Sequence, residues 1–294
     1  MSPLEPTPLI RLNNLFPQAA VYAKCEFLAP SGCFKIRGAA HLLDHLQKDG
    51  STRHLVVPSM GNTALGAAVG AKEFGFSMTG VVPQTIARDK DEKLQALGVE
   101  LIKLPGGGSE LLRIATDIAA ERGGYFVHPH LDPPWTDGYQ SITAEILQSL
   151  PDCRSLVFPV GGGGLLMGLL AYLRHHPSAI RLYGIEPYGY PKYARFDHSR
   201  STTIADGLKL ETPHPSVQQA IAEAEIEIAL VTEADIRAAL KDLYETQALV
   251  VEPSSAITTA FVKTPVGKLE EPICVILTGE NIARADHRRL ISEA

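Results

Sequence analysis

The chain has 294 residues, 45% of them hydrophobic and 20% charged, which suits a globular protein of two domains or one large α/β unit and excludes a disordered or fibrous chain. A net charge of −6 without a run of lysine or arginine argues against a nucleic-acid surface, and no apolar stretch is long enough to span a membrane. The cysteines Cys25, Cys33, Cys153 and Cys274 form no Cys-x-x-Cys pair and the ten histidines show no ligand spacing, which argues against a structural zinc and for a reducing cytoplasm.

Glu5 and two early prolines stand where a signal peptide would carry basic and apolar regions, so no such leader is expected. Residues 21–27 read as the first strand. In Ser31-Gly-Cys-Phe-Lys35-Ile-Arg-Gly-Ala39, Lys35 lies between a small-residue turn and a helix start, beside apolar Phe34 and Ile36. Apolar neighbours disfavour the ammonium form, and a neutral amine attacks an aldehyde; an ordinary surface lysine is the plain alternative. A strand over 54–57 leads into Ser59-Met60-Gly61-Asn62-Thr63, which offers a hydroxyl, an amide and backbone N–H groups just after a strand. An α/β protein holds a small anion or a carboxylate at such a place, although a Gly-Asn turn would read the same way.

Helices over 63–74, 89–97 and 110–122 alternate with strands over 78–82, 99–103 and 125–127. The Pro133-Pro134 break follows, and then a helix start at Gly138. Further on come a strand over 155–159, a helix over 165–175, a strand over 181–185, an aperiodic aromatic and charged loop over 189–201, and a last strand over 272–277. This alternation predicts an α/β fold with parallel sheets flanked by helices in two domains. The expected division is a small inserted domain at 54–131 within a large domain made of 1–53 and 132–294.

Between the strand over 155–159 and its helix stand Gly161, Gly162, Gly163 and Gly164. Glycines let backbone N–H groups close around phosphate oxygens at a helix N-terminus. Gly162-x-Gly164-x-x-x-Gly168 also comes close to a dinucleotide fingerprint, with Glu186 after the next strand placed to bind a ribose hydroxyl, so a nucleotide site is the competing reading.

Taken together, these segments resemble the fold-type-II, tryptophan-synthase-β-like pyridoxal-phosphate enzymes, closest to the serine/threonine dehydratase and serine racemase branch. The resemblance runs from Pro6-Thr-Pro-Leu-Ile-Arg11 to Leu277-Thr-Gly-Glu-Asn281. It includes, in the family's order, the Lys35, Ser59–Thr63 and glycine segments, then Thr203-Ile-Ala-Asp-Gly207, Val251-Glu-Pro-Ser-Ser-Ala256 and Leu277-Thr-Gly. It implies pyridoxal 5'-phosphate as cofactor, with Lys35 as the lysine that joins its aldehyde and later moves the substrate's α-proton. Phe34 would pack near the ring and Asn62 would bond its phenolic oxygen. Gly161 to Gly164 and Leu165 would take the phosphate, and Thr278 would face the pyridine nitrogen. Ser59, Met60, Gly61, Asn62 and Thr63 would hold the substrate carboxylate. A homodimer is also implied.

The resemblance is mixed in detail. Gly61-Asn62-Thr63 and Leu277-Thr278-Gly279 look like threonine synthase or cysteine synthase, whereas Thr203–Gly207 and the glycine loop look like the dehydratases. The leading expectation is β-elimination from a β-hydroxy or related β-substituted amino acid, giving a 2-oxo acid and ammonia. The alternatives are β-replacement or threonine-synthase-like chemistry and, in another class, a non-catalytic cofactor- or nucleotide-binding protein. Met60 stands where serine racemases carry a serine, and a thioether moves no proton, so racemisation is expected to be at most a side reaction. Related enzymes pair the glutamate after the strand over 181–185 with an acidic residue six positions on to hold a divalent cation. Here that position is Lys192, so no metal is expected; the lysine either sets its ammonium beside Glu186 or is an ordinary exposed lysine.

Overall fold

The computed structural model describes residues 4–59, 61–86, 88–105, 108–128, 131–194, 202–209, 213–264 and 269–294. In chain order its elements begin with β1 (Leu9–Arg11), β2 (Val21–Cys25), α1 (Lys35–Asp49), β3 (His54–Val57), α2 (Asn62–Phe74), β4 (Ser77–Pro83) and α3 (Arg88–Ala96). They continue through β5 (Glu100–Leu104), α4 (Gly108–Arg122), β6 (Tyr125–Phe126), α5 (Pro133–Thr136), α6 (Gln140–Ser149), β7 (Ser155–Pro159) and α7 (Gly164–His175). The remainder is β8 (Arg181–Pro187), α8 (Pro215–Glu223), β9 (Glu227–Val231), α9 (Glu233–Gln247), α10 (Pro253–Lys263), β10 (Ile273–Leu277) and α11 (Arg284–Ser292). Two compact units result, one of Cys33–Tyr139 and one of Glu5–Gly32 with Gln140–Ala294. The segment 54–131 lies inside the first unit, which also takes in α1 and the residues up to Tyr139.

The first unit holds a four-stranded sheet in the order β5-β4-β3-β6, with every pairing parallel. Its two leading helices pack unusually close because α2 is lined with small residues. A Cβ on Gly66 would come within 2.7 Å of the Lys35 Cβ, and one on Gly70 within 2.9 Å of Leu43 Cδ1. Bulkier residues at either site would push α1 away. The segment carrying α5 lies on α1 in the same manner, since a Cβ on Gly38 would meet Trp135 Nε1 at 2.5 Å.

The second unit holds a six-stranded sheet in the order β1-β2-β10-β7-β8-β9, parallel except for the antiparallel β1–β2 pair at one edge. The inner strands β7 and β10 are buried along their whole length and read as apolar runs without alternation, as strands covered on both faces do. Val21, Ala23, Val157, Ile185, Val275 and Leu277 from the sheet pack with Leu240, Leu243, Ile257 and Phe261 from α9 and α10. Each fully buried large aliphatic or aromatic side chain contributes about 1.5–3 kcal/mol of transfer free energy. Helix α9 starts on a reciprocal cap in which Thr232 Oγ1 accepts the Asp235 N–H and the Asp235 carboxylate accepts the Thr232 N–H. Because β7, β8 and β10 run parallel, Gly161, Glu186 and Thr278 come at the same edge of the sheet, the C-terminal one where α/β proteins bind ligands.

Candidate active site

In the first unit, Lys35 is the first residue of α1 and Asn62 the first residue of α2. The close approach at Gly66 sets the Lys35 backbone against the first turns of α2. The Cys33 Sγ lies 3.8 Å from the Asn62 carbonyl, which also ties the two helix starts together. The Lys35 amine sits 4.8 Å from the centre of the Phe34 ring and 5.7 Å from that of Tyr139, so it lies among aromatic faces. Phe34 and Tyr139 are themselves packed, with centroids 4.8 Å apart. Tyr139 is fully buried, its hydroxyl accepts the Trp135 Nε1–H, and burial holds it well above the usual phenol range.

Helix α2 opens without a side-chain cap, so its first-turn N–H groups mark a place for an anion. Ser59 Oγ accepts the Gly61 N–H at 3.3 Å, which shapes the turn into the helix, and Thr63 is buried. Phe34, Lys35, Ser59, Gly61, Asn62 and Thr63 are therefore gathered around two adjoining helix starts. Met60 lies outside the described residues.

In the second unit, the glycine loop leads directly into α7, a 12-residue helix that also lacks a side-chain cap. Gly163 has φ +90°, a conformation that suits glycine, and a Cβ there would run into the Val217 side chain of α8. A Cβ on Gly161 would come within 3.2 Å of the Gly207 carbonyl, and one on Gly207 within 2.9 Å of Ser254 Oγ. Three separate motif segments, 161–164, 203–207 and 251–256, thus meet at the C-terminal edge of the large sheet, and Thr278 belongs to the same assembly. Thr278 is 3% exposed and its Oγ1 lies 3.2 Å from Ser255 Oγ.

Glu186 lies near the end of β8 at this edge and is fully buried. Its carboxylate accepts backbone N–H groups from Lys192, Tyr193 and Ala194 at 3.0–3.2 Å and pairs with the Lys192 ammonium at 3.2 Å, which is likewise fully buried. Those partners occupy the carboxylate that a dinucleotide ribose would need, so the structure corrects the nucleotide alternative. Lys192 and the residues to Ala194 belong to the loop over 189–201, of which 195–201 lie outside the described residues.

A family model described as pyridoxal-phosphate dependent enzyme matches residues 2–279. The chain belongs to this family. Among its relatives is the catabolic L-threonine dehydratase of Staphylococcus aureus, 28% identical over 292 residues that span 94% of this chain and 84% of that protein. Among solved structures, the processed threonine deaminase isoform 2 of Solanum lycopersicum superposes with a TM-score of 0.89 at 25% identity, covering 99% of this chain and 89% of that one. The L-serine ammonia-lyase of the fungus Rhizomucor miehei shares the fold, with a TM-score of 0.83 at 22% identity over 100% and 99% of the two chains.

The site residues fit the cofactor of the pyridoxal-phosphate-dependent enzymes. An uncapped 12-residue helix entered through Gly161–Gly164 suits a phosphate dianion, since a Cβ at Gly163 would strike Val217 and one at Gly161 would crowd the Gly207 carbonyl. An amine set among aromatic rings suits an aldehyde-bearing ring, and a buried hydroxyl at a strand end suits a ring nitrogen. Sequence reasoning brings in Gly207 and Ser255 only as members of motif segments, and it does not single out Tyr139 or Trp135. The short Pro133–Tyr139 segment gives no periodic signal, and its packing on α1 shows only in three dimensions.

Proposed function

We infer that this enzyme catalyses β-elimination from a β-hydroxy or related β-substituted amino acid, releasing a 2-oxo acid and ammonia. The observation that carries this reading is the contact between α1 and α2. It sets Lys35 against α2, whose N-terminus carries no side-chain cap and suits a carboxylate, so an amino acid anchored there would offer its α-carbon to Lys35. The threonine dehydratase relative and the threonine deaminase neighbour support elimination as the outcome.

Pyridoxal phosphate, when bound, supplies the electron sink for the electrons released at the α-carbon. Gly161, Gly162, Gly163, Gly164 and Leu165 would hold its phosphate, Phe34 would pack near its ring, and Asn62 and Thr278 would meet its phenolic oxygen and ring nitrogen. Ser59, Gly61, Asn62 and Thr63 would fix the substrate carboxylate, with Met60 in the same segment. Lys35 then takes the α-proton as the β-hydroxyl departs. Water lost with the hydroxyl is regained as ammonia is released, so one amino acid gives one oxo acid and one ammonia.

β-Replacement is the second reading, favoured by the Gly61-Asn62-Thr63 sequence. Incubating the holoenzyme with L-serine, L-threonine and O-acetyl-L-serine, with and without a thiol, separates the two. Equal amounts of oxo acid and ammonia, unchanged by thiol, support elimination; a thioether amino acid formed at their expense supports replacement. The family resemblance supports a homodimer, and four buried cysteines with no disulfide among them support a reducing cytoplasm.

A further inference from the structure

Tyr193 joins two segments of the second unit that the sequence keeps apart. Its backbone N–H is one of the three held by the fully buried Glu186 carboxylate, so the residue sits on an anchored turn. Its side-chain hydroxyl accepts the backbone N–H of His214 at 3.2 Å. An amide N–H can only donate, so the direction of this bond is fixed. Burial pushes the Tyr193 phenol up to about 12, which keeps the hydroxyl neutral.

His214 is the residue that opens α8, and its carbonyl accepts the N–H groups of Val217 and Gln218 at 3.1 and 3.0 Å. Val217, in that first turn, is fully buried, and its methyl groups are what a Cβ on Gly163 would strike. Its side chain is therefore the wall behind the third glycine of the loop. Consecutive glycines have the widest backbone freedom, so the shape that converges their N–H groups on an anion has to be imposed by neighbours. Val217 is such a neighbour, and the Tyr193 hydroxyl bonds the residue from which its helix starts.

We propose that Tyr193 is a positioning residue for the phosphate cradle: its hydroxyl fixes the start of α8 and, through Val217, the shape of the glycine loop at Gly163. This rests on the reading that the loop takes the cofactor phosphate. The turn anchored by Glu186 is the fixed point from which Tyr193 acts.

The test compares the parent enzyme with Tyr193→Phe, Val217→Ala, the two combined, and Gly163→Val. Titration of the cofactor-free full chain with pyridoxal phosphate gives affinity, and the ³¹P NMR signal of each holoenzyme reports the phosphate's surroundings. Tyr193→Phe is expected to weaken binding about three- to tenfold, the range of one lost hydrogen bond, and to move the ³¹P signal while circular dichroism stays unchanged. Val217→Ala should do the same, and adding Tyr193→Phe to it should cost little more, since both act on one contact. Fully additive losses overturn the route through Val217. Weaker binding with an unmoved ³¹P signal overturns the proposal, because the effect then lies away from the phosphate. If Gly163→Val weakens binding and moves the signal while Tyr193→Phe does neither, the role of Tyr193 fails and the loop keeps its place. If Gly163→Val also changes neither, the loop does not hold the phosphate and the underlying reading fails.

Discussion

Lys35 shows how much one position can carry. Its place between Phe34 and Ile36 was legible in the sequence, because a lysine at an apolar helix start is out of keeping with a solvated charge. What surrounds its amine was not legible, because the Tyr139 ring reaches it only through the packing of the Trp135 segment on α1. Thr278 was legible as a hydroxyl at a strand end, but its contact with the buried Ser255 hydroxyl was not, because no spacing reveals it. Replacing Lys35 with alanine should lower turnover by about 10³-fold or more, within or beyond the range lost with a proton-transfer group. The side chain is only part-buried, so the fold should survive. Stopped assays for oxo acid alongside circular dichroism check this; near-normal turnover would remove Lys35 from the chemistry.

Helices and strands were most legible where burial is complete. The strands over 54–57 and 155–159 were placed to the residue, because apolar runs covered on both faces leave little choice of register. The three-residue β1 is too short to stand out, and the edge strand β9, apolar though it is over residues 228–231, and α8 to α11 were not read. The glycine loop was legible, but its fit against α8 was not. Gly163→Val meets both a positive φ and the Val217 side chain, so cofactor affinity should fall at least tenfold, about 1.4 kcal/mol, in a fluorescence titration. Unaltered affinity would count against this loop as the phosphate cradle. The loop after β8 rests on the Glu186–Lys192 pair. Removing one partner of a buried pair costs about 3–5 kcal/mol, so Lys192→Met should lose about that much in urea unfolding. Adding Glu186→Gln should recover most of the loss, since the stranded charge is then gone. Because Glu186 already faces a built-in ammonium, EDTA should leave activity unchanged. A magnesium-reversible loss would contradict that view of the loop.

Across the whole molecule, the alternation of strands and helices made two parallel sheets legible, but not the boundary of the compact units. The expected inserted segment 54–131 omits α1, whose attachment to α2 depends on Gly66 and Gly70, positions that look like ordinary small residues in a helix. Burial also sets thiol chemistry throughout the chain. All four cysteines are buried, and burial pushes the Cys25 and Cys153 thiols up to about 12 and Cys274 well above its usual value. Buried and with thiolates disfavoured, these three thiols should resist an aromatic disulfide reagent until the fold opens. Labelling should rise from near zero in buffer to all four cysteines in denaturant; rapid labelling of Cys25, Cys153 or Cys274 in the native state would contradict their placement.

The central claim is that a single lysine, Lys35, carries the cofactor and works at the substrate's α-carbon. Reducing the holoenzyme with borohydride makes the link between amine and cofactor permanent, and peptide mass spectrometry then locates it. The account predicts a pyridoxyl group on the peptide containing Lys35 and no activity after reduction. A label on any other lysine, Lys24 and Lys192 included, or full activity after complete reduction, would contradict it.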